Sequence, residues 1–206
     1  FEYCVKEACG HPDIVGLAVS TRPDCIHESY LEVLREAQGK YGTNVTVELG
    51  LQSVNPHTLL KIGRCHTVAE FIDAALQIGR YHFDLCAHII ADLPWDDRID
   101  LEEAAKLVSV LPVTEIKIHS LYIIKGTKLA KMYEKGDIKL LPPEEYAERV
   151  VLILSMLRPD IVVQRIVGRA SANTLSVNGG RPWWEVKEYI EKLMRNRHIQ
   201  QGSACN

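Results

Sequence analysis

A regular exchange of extended and helical segments constrains this chain more than any single motif. Apolar, β-rich runs at Ile14–Ser20, Asn44–Gln52, His82–Ala91, Glu115–Ile124 and Ile161–Val167 are separated by stretches whose apolar residues recur at helical spacing. His27–Gln38 places Tyr30, Leu31, Leu34 and Ala37 on one face. Behind a cap at Thr67, Val68, Phe71, Ile72, Ala75, Leu76 and Gly79 form a continuous stripe. Ile99–Leu111 does the same with Leu101, Ala104, Ala105, Val108 and Leu111. Parallel strands need a crossover, usually a helix, so this order predicts an α/β fold with parallel strands. After the fourth run the rhythm loosens. Lys128–Lys135 reads as a short helix ended by Gly136, and Pro142–Leu157 as a longer one opened by prolines and two glutamates. Asn173–Gly180 reads as a loop and Pro182–Asn196 as a last helix. The polar tail from His198 to Asn206 is expected to fray.

The strands carry a second signal. Alternate strand residues share a face. Val45, Val47, Leu49 and Leu51 oppose Thr46, Glu48, Gly50 and Gln52. His82, Asp84, Cys86 and His88 share one face of the third run, and Glu115, Lys117 and His119 one face of the fourth. A parallel sheet covered by helices on both faces reads apolar throughout. A repeatedly polar, ionisable face instead predicts a sheet curved like a barrel, helices outside and a polar ligand inside. The alternative is exposed strand ends with structural ion pairs such as Glu48 with Lys117.

Composition narrows the function classes. The 206 residues are 47% apolar with a formal charge of -3, an ordinary globular balance without a global basic field for nucleic acid. The longest apolar runs, such as Val150–Leu154, fall far short of the ~20 residues of a membrane helix. No secretory leader is visible, which predicts a cytoplasmic setting with reduced thiols. The first residue is Phe1 rather than Met, as expected of a piece of something longer. Cysteines at 4, 9, 25, 65, 86 and 205 form no Cys-x-x-Cys, and Cys4 and Cys9 read as partly buried thiols.

Sites in parallel α/β folds gather at the carboxyl ends of the strands. Polar residues arrive there repeatedly: Ser20–Cys25, Gly50–Ser53, Ala91–Asp96, His119–Tyr122 and Lys125–Thr127. Each has a plain alternative, Arg22 pairing with Asp24 or Gln52 and Ser53 capping a turn. A further reading is a hydrolase with His88, His119 and Asp84 or Asp92 as metal ligands, though no compact ligand motif supports it.

The stretches GLAVSTRPDC (Gly16–Cys25), VELGLQS (Val47–Ser53), TLLKIGRCH (Thr58–His66) and IKIHSLYIIKGT (Ile116–Thr127) resemble the radical S-adenosylmethionine (SAM) proteins of the YhcC type, relatives of the Elongator catalytic subunit. QRIVGR (Gln164–Arg169), Trp184, Lys187 and Gln201-Gly202 also fit, so the resemblance runs from about residue 13 to about residue 202. It implies a partial, TIM-like (β/α) barrel, open and truncated at its amino-terminal side, holding SAM and a [4Fe-4S] cluster. One electron passed to bound SAM would cleave its sulfonium bond, and the cofactor would carry that hard step. By position, Gln52 and Ser53 would serve the ribose and methionyl parts. Ile90, Asp92, Leu121 and Tyr122 would lie along the adenine. Arg22, His88, His119 and Lys125 would face the substrate. No residue is assigned as the catalytic group or as a metal ligand. Residues 1–125 would supply strands three to six of the family barrel, and 126–206 an α/β extension of the same unit.

The departures are as informative. The family's three closely spaced cluster cysteines are absent; Cys25, Cys65 and Cys86 are far apart. The resemblance therefore places the cluster loop, the first two strands and a glycine-rich segment upstream. Where the family tends to read GLPGE, Asp92-Leu93-Pro94-Trp95-Asp96 stands, and Trp95 would crowd the adenine edge. Ser20 and Cys65 replace usual glycines, and Arg169 a common aspartate. The expected function is the carboxyl-terminal two-thirds of a radical SAM enzyme, acting on a tRNA base and served by a flavodoxin or ferredoxin. The chain by itself would be inactive. Lys61, Arg64, His66, Lys125, Lys128, Lys131 and Arg181 would form a local phosphate patch. The competing expectation is a degenerate, non-catalytic binding domain.

Overall fold

The structure, a computed structural model, describes residues 1–169 and 173–205. The elements run α1 (Glu2–Cys9), β1 (Gly16–Thr21), α2 (Glu28–Tyr41), β2 (Asn44–Gln52), α3 (Pro56–Lys61), α4 (Val68–Arg80) and β3 (Asp84–Ile90). There follow α5 (Arg98–Val110), β4 (Glu115–His119), β5 (Ile123–Ile124), α6 (Lys128–Lys135) and α7 (Pro143–Met156). The chain then forms β6 (Val162–Arg165), β7 (Thr174–Ser176) and α8 (Trp183–Asn196). Strands β1, β2, β3, β4 and β6 make one parallel sheet in that order. Each new strand is laid beside its predecessor, so the sheet winds in one direction, as the arc of a barrel does.

One face of this sheet supplies the core. Val45, Val47, Leu49, Leu51, Leu85, Ala87, Ile89, Ile116 and Ile118 are buried beneath Phe71 and Ile78 of α4, Leu101 and Val108 of α5 and Ile153 of α7. Each large apolar side chain so covered is worth about 1.5–3 kcal/mol. The helices begin where side chains satisfy their free amides. Thr67 and Glu70 form a reciprocal capping box at α4, and Asp97 and Asp100 another at α5. Asn55 caps α3 just before Pro56, its side chain accepting from the His57 and Thr58 amides.

Four expectations need correction. The fourth run is not one strand. It leaves the sheet after His119, and Ile123–Ile124 pairs antiparallel with Thr174–Ser176, inside the segment read as a loop. The break has a cause: the Asp92 carboxylate accepts a hydrogen bond from the Leu121 backbone at 2.6 Å and pulls that residue off the ladder. The tail does not fray through Cys205; Asn206 lies outside the described residues. Gln201 donates to the carbonyls of Arg158 (2.9 Å) and Ile161 (2.8 Å), and Gly202 and Ala204 donate to Leu154 and Ser155 at the end of α7. Cys4 is exposed rather than partly buried, and it is Cys9, with Val5, that seals α1 into the core.

Candidate functional site

The inner face of the sheet carries a connected set of ionisable groups. Parallel register sets Ser20 beside Glu48 and His88 beside Lys117. Glu48 accepts from Lys117 Nζ at 2.5 Å and from Ser20 Oγ at 2.9 Å, and His88 Nε2 lies 3.1 Å from Glu48 Oε2. That last approach is bent, leaving Nε2 without a linear hydrogen bond. His88 Nδ1 meets His119 Nε2 at 3.2 Å. Burial alone would raise the Glu48 carboxyl, but Lys117 and Ser20 outweigh it and hold it below its ordinary value. Burial pushes both histidines down, His119 to about 4 with help from His88 and Arg165. Burial pushes the Cys86 thiol up to about 12. The Glu48–Lys117 pair kept as the plain alternative is thus real, and it is one link of a longer chain.

At the end of β2 the backbone departs from regular geometry. The register slips between Gly50 and Gln52, and Gln52 sits at φ 67, in the left-handed region. A non-glycine residue there costs about 1–3 kcal/mol and persists where the surroundings over-determine it. A Cβ on Gly50 would fall 2.5 Å from Gln52 Nε2 and 2.8 Å from Arg64 Nη2, so only glycine lets these two side chains cross the strand end. Arg64 donates to the Gly50 carbonyl at 3.2 Å, and its Nε is buried without an acceptor. Burial and the nearby Arg22 lower the Arg64 pKa. Arg22, whose guanidinium is paired with Asp24, joins Ser20, Gln52, Arg64, Glu48 and His88 around a cleft of about 440 Å³.

The other candidate residues stand apart from that cleft. Ser53 is buried in the turn, where its hydroxyl accepts from the Asn55 backbone at 2.9 Å. Asp92 is 4% exposed and burial pushes it up to about 7 against the Leu121 hydrogen bond. Leu121 and the partly buried Ile90 belong to a small apolar cluster with Leu93, Ile123, Ala130 and Ile138. Trp95 packs on this cluster, its ring 5.0 Å from Lys61 Nζ. Tyr122 presses on Gly168, where a Cβ would collide with its hydroxyl, and lines a groove of about 750 Å³ with Arg165, Arg169, Trp183 and Lys187. Trp183, not the 56% exposed Trp184, enters that groove. Lys125 is exposed just after β5, its backbone donating to the Asn173 carbonyl.

The sequence therefore brings Arg22, Gln52, His88 and His119 together, and Asp92 with Leu121. It reads Arg64 as a rim residue rather than a cleft residue, and Arg165 only as part of the QRIVGR block. The signal for Arg64 was its place in the TLLKIGRCH block; charge alone had sent it to the rim. The basic residues do not form one patch: Arg64 and His66 turn inward and Arg181 pairs with Glu144. Lys125, Lys128 and Lys131 remain exposed. Asp84 is exposed at the foot of β3, and among the described residues no group of three or more His, Cys, Asp or Glu is placed to hold a metal. No helix of the described residues is long and apolar enough to cross a membrane.

Comparison with known proteins agrees with this layout. Residues 113–196 match the model of the Radical_SAM C-terminal domain. The chain is 36% identical to YtqA of Bacillus subtilis over 194 residues, covering 92% of the chain and 59% of YtqA. It is 31% identical to YhcC of Escherichia coli over 209 residues, covering 97% of the chain and 64% of YhcC. The chain thus spans about three-fifths of the length of the curated relatives it matches. The archaeal Methanocaldococcus infernus Elp3 with an amino-terminal deletion superposes with a TM-score of 0.76 at 20% identity, over 97% of this chain and 50% of that one. That likeness shows a shared fold, consistent with a partial barrel. Kinship along nearly the whole sequence and a common architecture meet in one conclusion: the chain is a relative of the YhcC-type radical SAM proteins.

Proposed function

We propose that this chain serves a radical SAM enzyme as the part of the barrel that receives SAM and substrate, with 1–125 the barrel portion and 126–206 its extension. The observation that carries this reading is the cleft at the end of β2, where a strained Gln52 and an Arg64 with a buried, unpartnered Nε cross Gly50. An orphaned guanidinium nitrogen and a free carboxamide suit a ligand with polar, partly anionic groups. Gln52 and Arg64 would hold the ribose and methionyl portion, and Ser53 would stiffen their turn. The Asp92–Leu121 strap, with Ile90 and Tyr122, would shape the wall beside the adenine. SAM joined to a reduced [4Fe-4S] cluster supplies an organic radical able to take a hydrogen atom from a substrate.

This chain's own cysteines do not fit that cluster. Cys86 is buried inside β3, Cys4, Cys65 and Cys205 are exposed, and the described residues gather no thiol trio. That spacing also favours the second reading, a domain that binds without radical chemistry. A tRNA substrate, a flavodoxin- or ferredoxin-type electron donor and a cytoplasmic setting belong to the first reading. The basic surface at Lys125, Lys128 and Lys131 is its candidate tRNA contact; reversing these three charges is expected to abolish tRNA retention on a filter.

The direct test is equilibrium dialysis of the chain with labelled SAM, beside Gln52→Gly, which keeps the left-handed backbone and removes the amide. Saturable binding that weakens at least tenfold in the variant is expected. No binding, or equal binding by both, overturns the assignment. Anaerobic iron and sulfide treatment of this chain should yield no [4Fe-4S] absorbance, and a stable cluster would refute the reading of its cysteines.

A further inference from the structure

The parallel sheet ends at β6, and the outer flank of that strand is open. Among the described residues no strand pairs with it. The Val162 N–H donates to the Thr114 carbonyl at the foot of β4 at 2.9 Å. Backbone groups of successive strand residues turn to opposite flanks, so the Val163 N–H and C=O point outward. Val162 is 58% exposed, and Gln164 and Arg165 are exposed as well. An uncovered edge of this kind is a template for a further strand. β6 has only four residues and a slipped register, features that keep an edge from pairing without discrimination. A selective partner therefore needs more than the edge itself.

The groove beside β6 supplies it. Its volume is about 750 Å³, its floor follows the chain from Val163 to Val167, and α8 walls it at Trp183 and Lys187. Five extended residues cover about 16 Å, the span of a short peptide strand. The lining charge runs against that of the whole molecule. The chain carries a formal -3, yet Arg165, Arg169 and Lys187 face this groove against one acid, Glu191. Glu191 is taken up by Lys187 at 3.4 Å. Arg169 lies over the Trp183 ring at 4.7 Å, and among the described residues no carboxylate pairs with Arg169 or Arg165.

We propose that the β6 edge and its groove dock an extended, acidic segment of a partner protein, which joins the sheet as an added strand. Its backbone would bond the Val163 N–H and C=O. Its carboxylates would meet Arg165 and Arg169, and an apolar side chain would lie on Val167 and Trp183. Two other occupants fit less well. A phosphodiester strand brings acceptors for the arginines, but its backbone has no N–H for the Val163 carbonyl. A second copy pairing through β6 would bring its own Arg165 and Arg169 into the same interface, like charge against like. The proposal goes beyond the cofactor cleft at the end of β2 and does not depend on SAM.

The test is titration of the chain with an acetylated and amidated hexapeptide of alternating glutamate and valine, followed by calorimetry and by hydrogen exchange read by NMR. Saturable binding is expected, with the Val163 amide slowed and the β1 amides unchanged. The fully N-methylated peptide keeps its charges and loses its donors, and it should bind roughly tenfold more weakly. A peptide of alternating lysine and valine should show a loss at least as large. Arg165→Gln combined with Arg169→Gln should weaken binding of the parent peptide by a similar factor. No binding of the parent peptide, equal binding of its N-methylated form or of a hexathymidylate, or self-association that protects Val163 without peptide would overturn the proposal. Failure of SAM to bind would count against the cofactor cleft alone and leave these titrations as they stand.

Discussion

At the scale of single residues, Asp92 is an acid whose protonation the fold controls strongly. Its carboxyl is raised from an ordinary value near 4 to about 7 by burial, against the hydrogen bond from Leu121. An acid whose folded pKa is raised binds protons more tightly in the native state. Its contribution to stability is fully present below about pH 4 and is lost as pH rises through about 7. Three units correspond to about 4 kcal/mol. Urea unfolding of the wild type should therefore show stability falling across that window. Asp92→Asn keeps an acceptor for Leu121 without the charge, and its stability should be flat there. Parallel profiles for the two proteins would show that Asp92 is not the group responsible. The sequence marked Asp92 as a strand-end residue but could not reveal its burial, because alternation says which face a side chain leaves from and not what closes over it. The same limit hid Arg165, whose place opposite Lys117 depends on a slip in the ladder between Ile116 and Lys117. Gly50 was likewise legible only as a gap in a polar face. Its function is steric, so Gly50→Ala should cut SAM binding by dialysis far more than it lowers the melting temperature.

At the scale of elements, legibility followed the length of the periodic signal. β2 spans Asn44–Gln52 and α6 spans Lys128–Lys135, both as their patterns required, since nine and eight residues give the period several repeats. β7 has three residues and β5 two, too few for any period, and they exist because they pair with each other. The carboxyl-terminal tail was misread for a related reason. Its polarity suggested solvent, but the polarity is spent on backbone. Gln201 satisfies two carbonyls at the turn between α7 and β6, and the Gly202 amide satisfies Leu154. Gly202, at φ 77, also lets the chain pass Pro159, where a Cβ would fall 2.5 Å from the ring. Gln201→Ala strips the Ile161 carbonyl of its donor, leaves the Arg158 carbonyl with the Ile161 amide alone, and should destabilise the chain by about 1–3 kcal/mol in urea. A tail that merely rested on the surface would give no measurable change.

At the scale of the whole molecule, the order β1-β2-β3-β4-β6 leaves β1 and β6 each with a neighbour on one side only. An arc and a closed barrel differ in just this respect, because closure would pair those two strands and abolish the edges. The two forms bury nearly the same apolar face, since the helices of the core pack on β2, β3 and β4 in either case. Sequence periodicity is blind to the distinction, and the inner polar face could line a slot or a sealed channel. Backbone amides are not blind to it. In β1, residues whose N–H groups point away from β2 have no ladder partner, whereas β3 is bonded on both flanks. Native-state hydrogen exchange should therefore show β3 amides opening only with global unfolding, while alternate amides of β1 and β6 exchange orders of magnitude faster. Uniform protection along β1 and β6 would mean that the two edges meet or are covered. The inner face would then be reached only through the cleft at the end of β2.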